Sequence, residues 1–221
     1  MQNPTRLRLI PAAVLALWGG NALASGFQLL EQNASGLGNA YAGSAAVAEN
    51  ASTIFYNPAG MTELSAREAS FGVTAIQTSY KFNNNGSSTG ALTGDGGDGG
   101  GLGFVPNAYM SWALSKDLYL GLGLGAPFGL KTDYDNPWVG GAQSLKFDIK
   151  TYNINPSIAY RVNEMVSLGF GISWQRMEAE YDRVVGVNSA PITGVTPFPL
   201  NTSKAIFNGD DDSWGWNVGA L

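Results

Sequence analysis

The chain contains no cysteine and no histidine among its 221 residues. Without cysteine there is no disulfide framework and no thiolate metal site, and without histidine the commonest general base and metal ligand is missing. Acidic residues (17) outnumber basic ones (12), and a chain with net negative charge is a poor partner for nucleic acid. We therefore expect no metal centre, no cofactor and no nucleic-acid partner.

Charge of either sign is scarce, while glycine is abundant. Asp, Glu, Lys and Arg make up 13% of the chain, against about 25% in an ordinary soluble domain. Glycine contributes 30 residues, aromatic residues 11%, and the mean hydropathy is near zero. This composition favours a β-structure with one apolar face over a soluble helical enzyme.

The first 24 residues have the layout of a secretory signal peptide. Arg6 and Arg8 precede an apolar stretch over residues 9–18, and small residues at Ala22 and Ala24 form a cleavage site. The alternative is a buried N-terminal helix. No stretch of about 18 apolar residues follows, so an exported chain of this composition predicts an outer-membrane β-barrel.

Four segments alternate with period 2, as a strand with two different faces requires. In one of them Phe170 and Ile172 share a face, while Gly169 and Gly171 share the other. The alternative is a soluble β-sandwich, whose outer faces would carry more Lys and Glu. The segments are 104–114, 118–125, 152–160 and 166–174, and aromatic residues suited to interfacial girdles lie near their ends at Trp112, Tyr152, Tyr160 and Trp174.

The connections between these segments alternate in length. Residues 115–117 and 161–163 are predicted to form short turns, and residues 83–103, 134–144 and 184–212 to form long loops. Short turns on one side and long loops on the other are typical of outer-membrane barrels, whose long loops lie outside the cell.

The alternation continues above the predicted lipid band, where one face becomes charged and the other stays apolar. One arginine interrupts the apolar face, which predicts an upper-lumen pocket for an amphiphile with an anionic head, because arginine binds both oxygens of a carboxylate. The alternative for this arginine is an ion pair with a loop carboxylate such as Asp210. The predicted inward residues are Leu145, Phe147, Ile149, Met177, Ala179, Tyr181 and Arg183.

Two groups of acidic residues are weak candidates for a functional site. Glu178 and Glu180 have the spacing of a glycosidase pair on one strand face, but that face points outward without a pocket, so we expect no enzyme activity. The run 210–212 is exposed charge, or alternatively a cation site that bridges lipopolysaccharide.

Residues 25–65 do not alternate like a strand, and their low charge favours a plug inside the barrel over a periplasmic tail. Three stretches of this segment, 25–29, 35–43 and 57–62, resemble the hatch of the FadL/TodX family of outer-membrane transporters of hydrophobic compounds. The resemblance continues at 105–107, 169–186 and 214–219. It covers essentially all of the chain after the signal peptide.

The resemblance implies an all-β membrane protein: an antiparallel transmembrane barrel of about 14 strands, plugged by an N-terminal hatch. About six strands fit in this chain, so we expect it to be the N-terminal part of a protein about twice as long. The expected divisions are a signal peptide over 1–24, a hatch over 25–65 and the first part of the barrel over 66–221. Outer-membrane lipid and lipopolysaccharide are the expected surroundings of a monomeric barrel.

The resemblance also implies passive transport of long-chain fatty acids by binding in the upper lumen, hatch rearrangement and lateral exit at a kink in the third strand. Arg183 matches the family's pocket arginine. The hatch motif corresponds to Asn57, Pro58 and Ala59, with Asn57 also expected at the ligand, and the kink to Gly125, Ala126, Pro127, Phe128 and Gly129.

Two alternative functions stay open. The same fold can take up aromatic hydrocarbons, which have no use for Arg183, or its loops can act as a surface adhesin or receptor. Apolar residues expected in the last long loop to form an outer groove are Val195, Phe198, Leu200, Ile206 and Phe207.

Overall fold

The computed structural model describes residues 26–87, 92–185 and 203–221. Within them lies one antiparallel sheet of seven strands in the order β1-β2-β3-β5-β6-β7, with β4 paired to β5 alone. The strands are β1 (Arg67–Gln77), β2 (Leu102–Ala113), β3 (Leu118–Gly125), β4 (Gly129–Asp133), β5 (Lys146–Asn163), β6 (Val166–Val184) and β7 (Lys204–Ala220). The predicted signal peptide lies outside the described residues.

The four alternating segments lie in β2, β3, β5 and β6, which confirms the predicted antiparallel strands. Two predicted boundaries are wrong. The turn expected at 161–163 lies instead at Glu164 and Met165, because β5 continues through a register shift to Asn163. The loop expected to extend to residue 212 ends before Lys204, because the ladder with β6 holds the acidic run in β7.

The sheet has one apolar exposed face and one polar or glycine-bearing face that is largely buried. On β3, Leu120, Leu122 and Leu124 are each 42% exposed, whereas Ser157 on β5 is 6% exposed and Ser167 on β6 is 5% exposed. This is the segregation that a strand needs between lipid and lumen. Among the described residues, no helix has the length and apolar character needed to cross a membrane.

Residues 26–64 pack against the buried face of the sheet, and we call this segment the hatch. It contains α1 (Thr53–Tyr56) and two 3-10 helices, Ser35–Asn39 and Pro58–Glu63. Its apolar side chains form a core with three residues of the sheet. The core comprises Ala51, Ile54, Met61 and Leu64 from the hatch and Tyr109, Tyr119 and Ala159 from the strands.

Glycine on the buried face lets the hatch backbone approach the strands. A Cβ atom on Gly169 would collide with the backbone of Pro58 and Ala59, and one on Gly219 would collide with the side-chain amide of Asn57. Thr62 Oγ1 donates to Ala59 O over 3.0 Å and accepts from Ser167 Oγ over 2.8 Å in the same contact. The glycine positions of the alternating pattern are therefore the places where plug and wall touch.

We predict that Gly219→Ala destabilises the contact between hatch and wall. The added methyl group forces Asn57 to move, a cost of about 1–3 kcal/mol for overpacking. The loss of stability would be measured on the full-length protein as the temperature at which its compact form, seen by electrophoretic mobility, is lost. Gly215→Ala is the matched control on the same strand, because its Cβ would lie 3.9 Å from Ser173; equal midpoints for the two variants would contradict the prediction.

Candidate functional site

An aromatic row crosses three strands on the upper part of the lumen face. The register aligns Phe147 of β5 with Tyr181 of β6 and Phe207 of β7. The ring centroids are 6.2 Å apart for Phe147–Tyr181 and 5.9 Å for Tyr181–Phe207. Ile149 and Ala179 form the next cross-strand pair on the same face, with Met177 beyond them. Five predicted inward residues therefore come together as one apolar surface.

Arg183 lies at the end of this row. Its guanidinium carbon is 5.9 Å from the Phe207 ring, its side chain is exposed, and it forms no ion pair within the described part of the chain. Asp210 pairs instead with Arg176, at 2.8 Å. The alternative ion pair between Arg183 and Asp210 is wrong, because the β6–β7 register places these residues on opposite faces of the sheet.

Leu145 does not join the row. It precedes β5 and is 3% exposed in a separate apolar cluster with Leu92 and Val184. Trp138 packs against this cluster and stacks on Tyr134 with ring centroids 4.3 Å apart. The alternation of the sequence predicted Leu145 on the lumen-facing apolar surface, but loop packing at the top of the strands buries it elsewhere.

Phe207 is a site residue that the sequence analysis placed in a loop. The structure puts it in β7, on the face of Tyr181. Every second residue before Gly215 lies on the same face, and this count leads to Phe207. Three consecutive aspartates at 210–212 hide the alternation in the sequence. Val195, Phe198 and Leu200 lie outside the described residues.

Asn57 lies far from the row, at the junction between hatch and wall. Its amide nitrogen donates to Ala45 O (2.8 Å) and Ala220 O (3.0 Å), and its Oδ1 accepts from Ala59 N (3.1 Å). Arg183 pairs with Ala205 near the opposite end of β7. At about 3.4 Å per residue the two sites are roughly 50 Å apart, so Asn57 and Arg183 cannot contact the same small ligand.

The loop before β2 is tied together by Asp98. Ser79 Oγ donates to this carboxylate over 2.7 Å, and the Tyr80 and Gly100 amides donate over 2.7 and 3.0 Å. The Ser79 hydroxyl, followed by the two amides, holds the pKa of Asp98 below its ordinary value. The Asp98 carboxylate is therefore bound by residues of its own loop. The described residues contain no cluster suited to a metal ion.

The predicted kink residues run from Gly125, the last residue of β3, to Gly129, the first residue of β4. The β2–β3 ladder ends at the pair Asn107 and Gly125, and β4 pairs only with β5. The upper part of β2, residues 102–106, therefore lacks a ladder partner on this side within the described residues. This leaves an interruption in the wall, with Pro127 buried in it.

The start of the hatch contacts this interruption. Leu29 N donates to Pro127 O over 2.8 Å, Gln28 and Phe128 form an isolated antiparallel bridge, and the rings of Phe27 and Phe128 are 5.0 Å apart. Besides the core and its contact at Ala220, the hatch thus also touches the wall at the β3–β4 interruption.

Residues 15–221 match the sequence profile of a family described as outer membrane protein transport protein (OMPP1/FadL/TodX). The chain belongs to this family. It is 33% identical to outer membrane protein P1 of Haemophilus influenzae, over 96% of this chain and 53% of that protein. It is 30% identical to a long-chain fatty acid transport protein of Salmonella typhi, over 95% of this chain and 50% of that protein.

A solved structure has the same fold as this member of the FadL/TodX family. The crystal structure of a Pseudomonas aeruginosa FadL homologue superposes with a TM-score of 0.68 at 24% identity, over 89% of this chain and 49% of that chain. The predicted barrel fold and outer-membrane location are confirmed. The chain spans about half the length of the curated relatives it matches.

We predict that Asn57→Ala loosens the hatch. The substitution leaves the carbonyls of Ala45 and Ala220 and the amide of Ala59 without partners, at a cost of about 2 kcal/mol or more. Chymotrypsin cleavage at Phe55 and Tyr56 in the full-length protein would accelerate. Asn39→Ala removes an exposed hydrogen bond to Tyr41 N and serves as the control; equal cleavage rates would contradict the role of Asn57.

Proposed function

We propose that this chain takes part in the passive transport of long-chain fatty acids across the outer membrane. The observation that carries the proposal is the apolar row of Phe147, Tyr181 and Phe207, which ends at Arg183, an arginine without an ion pair in the described part of the chain. The row offers an apolar surface to an alkyl chain, and the arginine offers a fixed cation to its carboxylate.

The energetics suit capture followed by release. Each CH₂ group that leaves water gains about 0.8 kcal/mol, so a long alkyl chain supplies the larger share of the binding free energy. The exposed arginine adds a smaller amount and orients the head group, because charge-assisted hydrogen bonds are weakened where water reaches them.

The outer carboxylates support transport over catalysis. Glu180 is bound by Lys146 at 2.6 Å and Glu178 by Arg176 at 3.4 Å. Both carboxylates are occupied by cations on the face opposite the aromatic row. We propose no chemical conversion of the ligand.

The exit in this proposal is the interruption between β3 and β4. An amphiphile that leaves there enters the lipid directly and avoids the polar periplasmic side. In the present state Phe27, Gln28 and Leu29 cover the interruption, so the start of the hatch has to move before the ligand can leave. Lipopolysaccharide contact and a monomeric state stay predictions.

Arg183→Ala is expected to reduce oleate uptake about tenfold, because one charge-assisted hydrogen bond of roughly 1.5 kcal/mol is lost. Uptake of radiolabelled oleate would be measured in cells that lack their own transporter and carry the full-length gene. Arg176→Ala is the matched control, since Arg176 lies on the same strand but its ion pairs are on the outer face.

The same experiment separates the alternatives. Oleate uptake that is unaffected by Arg183→Ala, together with uptake of labelled toluene, would favour an aromatic hydrocarbon as substrate. Correctly inserted protein that supports neither uptake would contradict transport and favour a surface receptor.

A disulfide between positions 28 and 128 is expected to block uptake reversibly. Gln28 and Phe128 are antiparallel bridge partners, a spacing that suits a disulfide, and the chain has no cysteine of its own. Gln28→Cys combined with Phe128→Cys should abolish oleate uptake when oxidised and restore it on reduction. Each single substitution is a control, and uptake that persists in the oxidised double variant would rule out this exit.

A further inference from the structure

A narrow pocket lies between the hatch and the wall, directly beside the β3–β4 interruption. Its most unusual member is Gln32, whose side chain is 1% exposed and whose Oε1 has no hydrogen-bond partner among the described residues. A buried acceptor without a donor destabilises the folded state. The lining residues are Gln32, Ile54, Phe55, Tyr109, Gly123, Leu124, Gly125, Pro127, Asn153 and Asn155.

The neighbouring hydrogen bonds show which atom of the Gln32 side-chain amide lacks a partner among the described residues. Its Nε2 donates to Leu29 O over 3.0 Å, and a carbonyl can only accept, so the oxygen is the atom left over. Tyr109 Oη donates its proton to the backbone oxygen of Gln32 over 2.8 Å. The hydroxyl of Tyr109 is thereby left with only acceptor capacity.

Gly125 leaves a space beside these two oxygens. A Cβ atom at this position would lie 3.4 Å from Gln32 Oε1 and 3.8 Å from Tyr109 Oη. Among the described residues no lysine or arginine lines the pocket, and the Asn155 amide nitrogen is already bonded to Ser173 and Asn217. Asn153 is the remaining side chain that can offer a donor to a second oxygen.

We propose that this pocket binds the head group of the transported amphiphile as a hydrogen-bond donor, that is, as a protonated carboxyl group or a hydroxyl group. The inference rests on the proposed transport function and adds a second, chemically different head-group site to it. An ionised carboxylate can only accept hydrogen bonds, so two acceptor oxygens without a cation exclude it. A neutral carboxyl donates to Gln32 Oε1 and accepts from Asn153.

The two head-group sites then bind different protonation states. At Arg183 the carboxylate is ionised and bound by a cation. Between the two sites the carboxylate takes up one proton from lumenal water, the hydroxide stays in the bulk solvent, and the resulting neutral acid carries no charge into the interruption of the wall. This order lowers the cost of moving the head group into lipid, because burying a neutral polar group costs far less than burying an ion.

A comparison of two uncharged competitors tests the inference. Oleyl alcohol has a donor and oleyl methyl ether has none, while Arg183 can only donate and therefore treats the two alike. Inhibition of labelled oleate uptake would be measured in cells that carry the full-length gene. We expect the alcohol to inhibit at about five- to tenfold lower concentration than the ether, the effect of one hydrogen bond to a buried acceptor.

Substitutions test whether the preference for the alcohol over the ether arises in this pocket. Gln32→Met removes the acceptor and should make the alcohol and the ether equally potent, whereas Gln32→Glu keeps an acceptor oxygen and should retain the preference. Asn39→Ala removes an exposed hydrogen bond in the hatch outside this pocket and should leave the preference unchanged. If Gln32→Met fails to reach the membrane, Gly125→Ala fills the space beside Gln32 Oε1 and should reduce the same ratio.

Equal potency of alcohol and ether, with normal oleate uptake, would overturn the inference and indicate a bound water or an empty pocket. A preference that persists in Gln32→Met would overturn it as well. Failure of the transport proposal is distinguishable, since oleate uptake itself would then be absent before any competitor is added.

Discussion

The close contact between the hatch and the glycine-bearing face of the sheet is the constraint on which the other features depend. Backbone at Pro58 and Ala59 lies where a side chain on Gly169 would otherwise stand, so plug and wall share one core with Ile54, Met61 and Tyr109. This contact sets the depth of the hatch. It also brings Leu29 to the interruption at Pro127 and Gln32 to the pocket beside it.

The sheet separates three environments by the parity of a residue and by its height along the strand. Leucines on the outer face meet lipid, glycine and serine on the inner face meet the hatch, and above the hatch the inner face carries aromatic rings. Charge follows the same rule: Arg176 makes its ion pairs on the outer face, whereas Arg183 on the inner face has no carboxylate partner in the described part of the chain. Even and odd positions on the same strand thus place the ion-paired Arg176 and Arg183 on opposite faces.

The proposed path joins two polar sites of opposite character. Arg183 offers only donors at the end of an apolar row, while Gln32 and Tyr109 offer only acceptors beside the wall interruption. An acid that visits both has to change its protonation state between them. The chain would therefore distinguish head groups by hydrogen-bond capacity in addition to charge.

The sequence by itself determined the strands, the two faces and the placement of Phe147, Tyr181 and Arg183 on one of them, because a period of two is a local property of an extended backbone. The tertiary structure alone decided what depends on packing between distant segments. Loop packing buried Leu145, the β6 ladder drew Phe207 and the aspartates into a strand, and a separation of roughly 50 Å along β7 kept Asn57 from Arg183. The buried Gln32 oxygen, which has no partner in the described part of the chain, likewise depends on the meeting of hatch and wall, and no sequence pattern marks it.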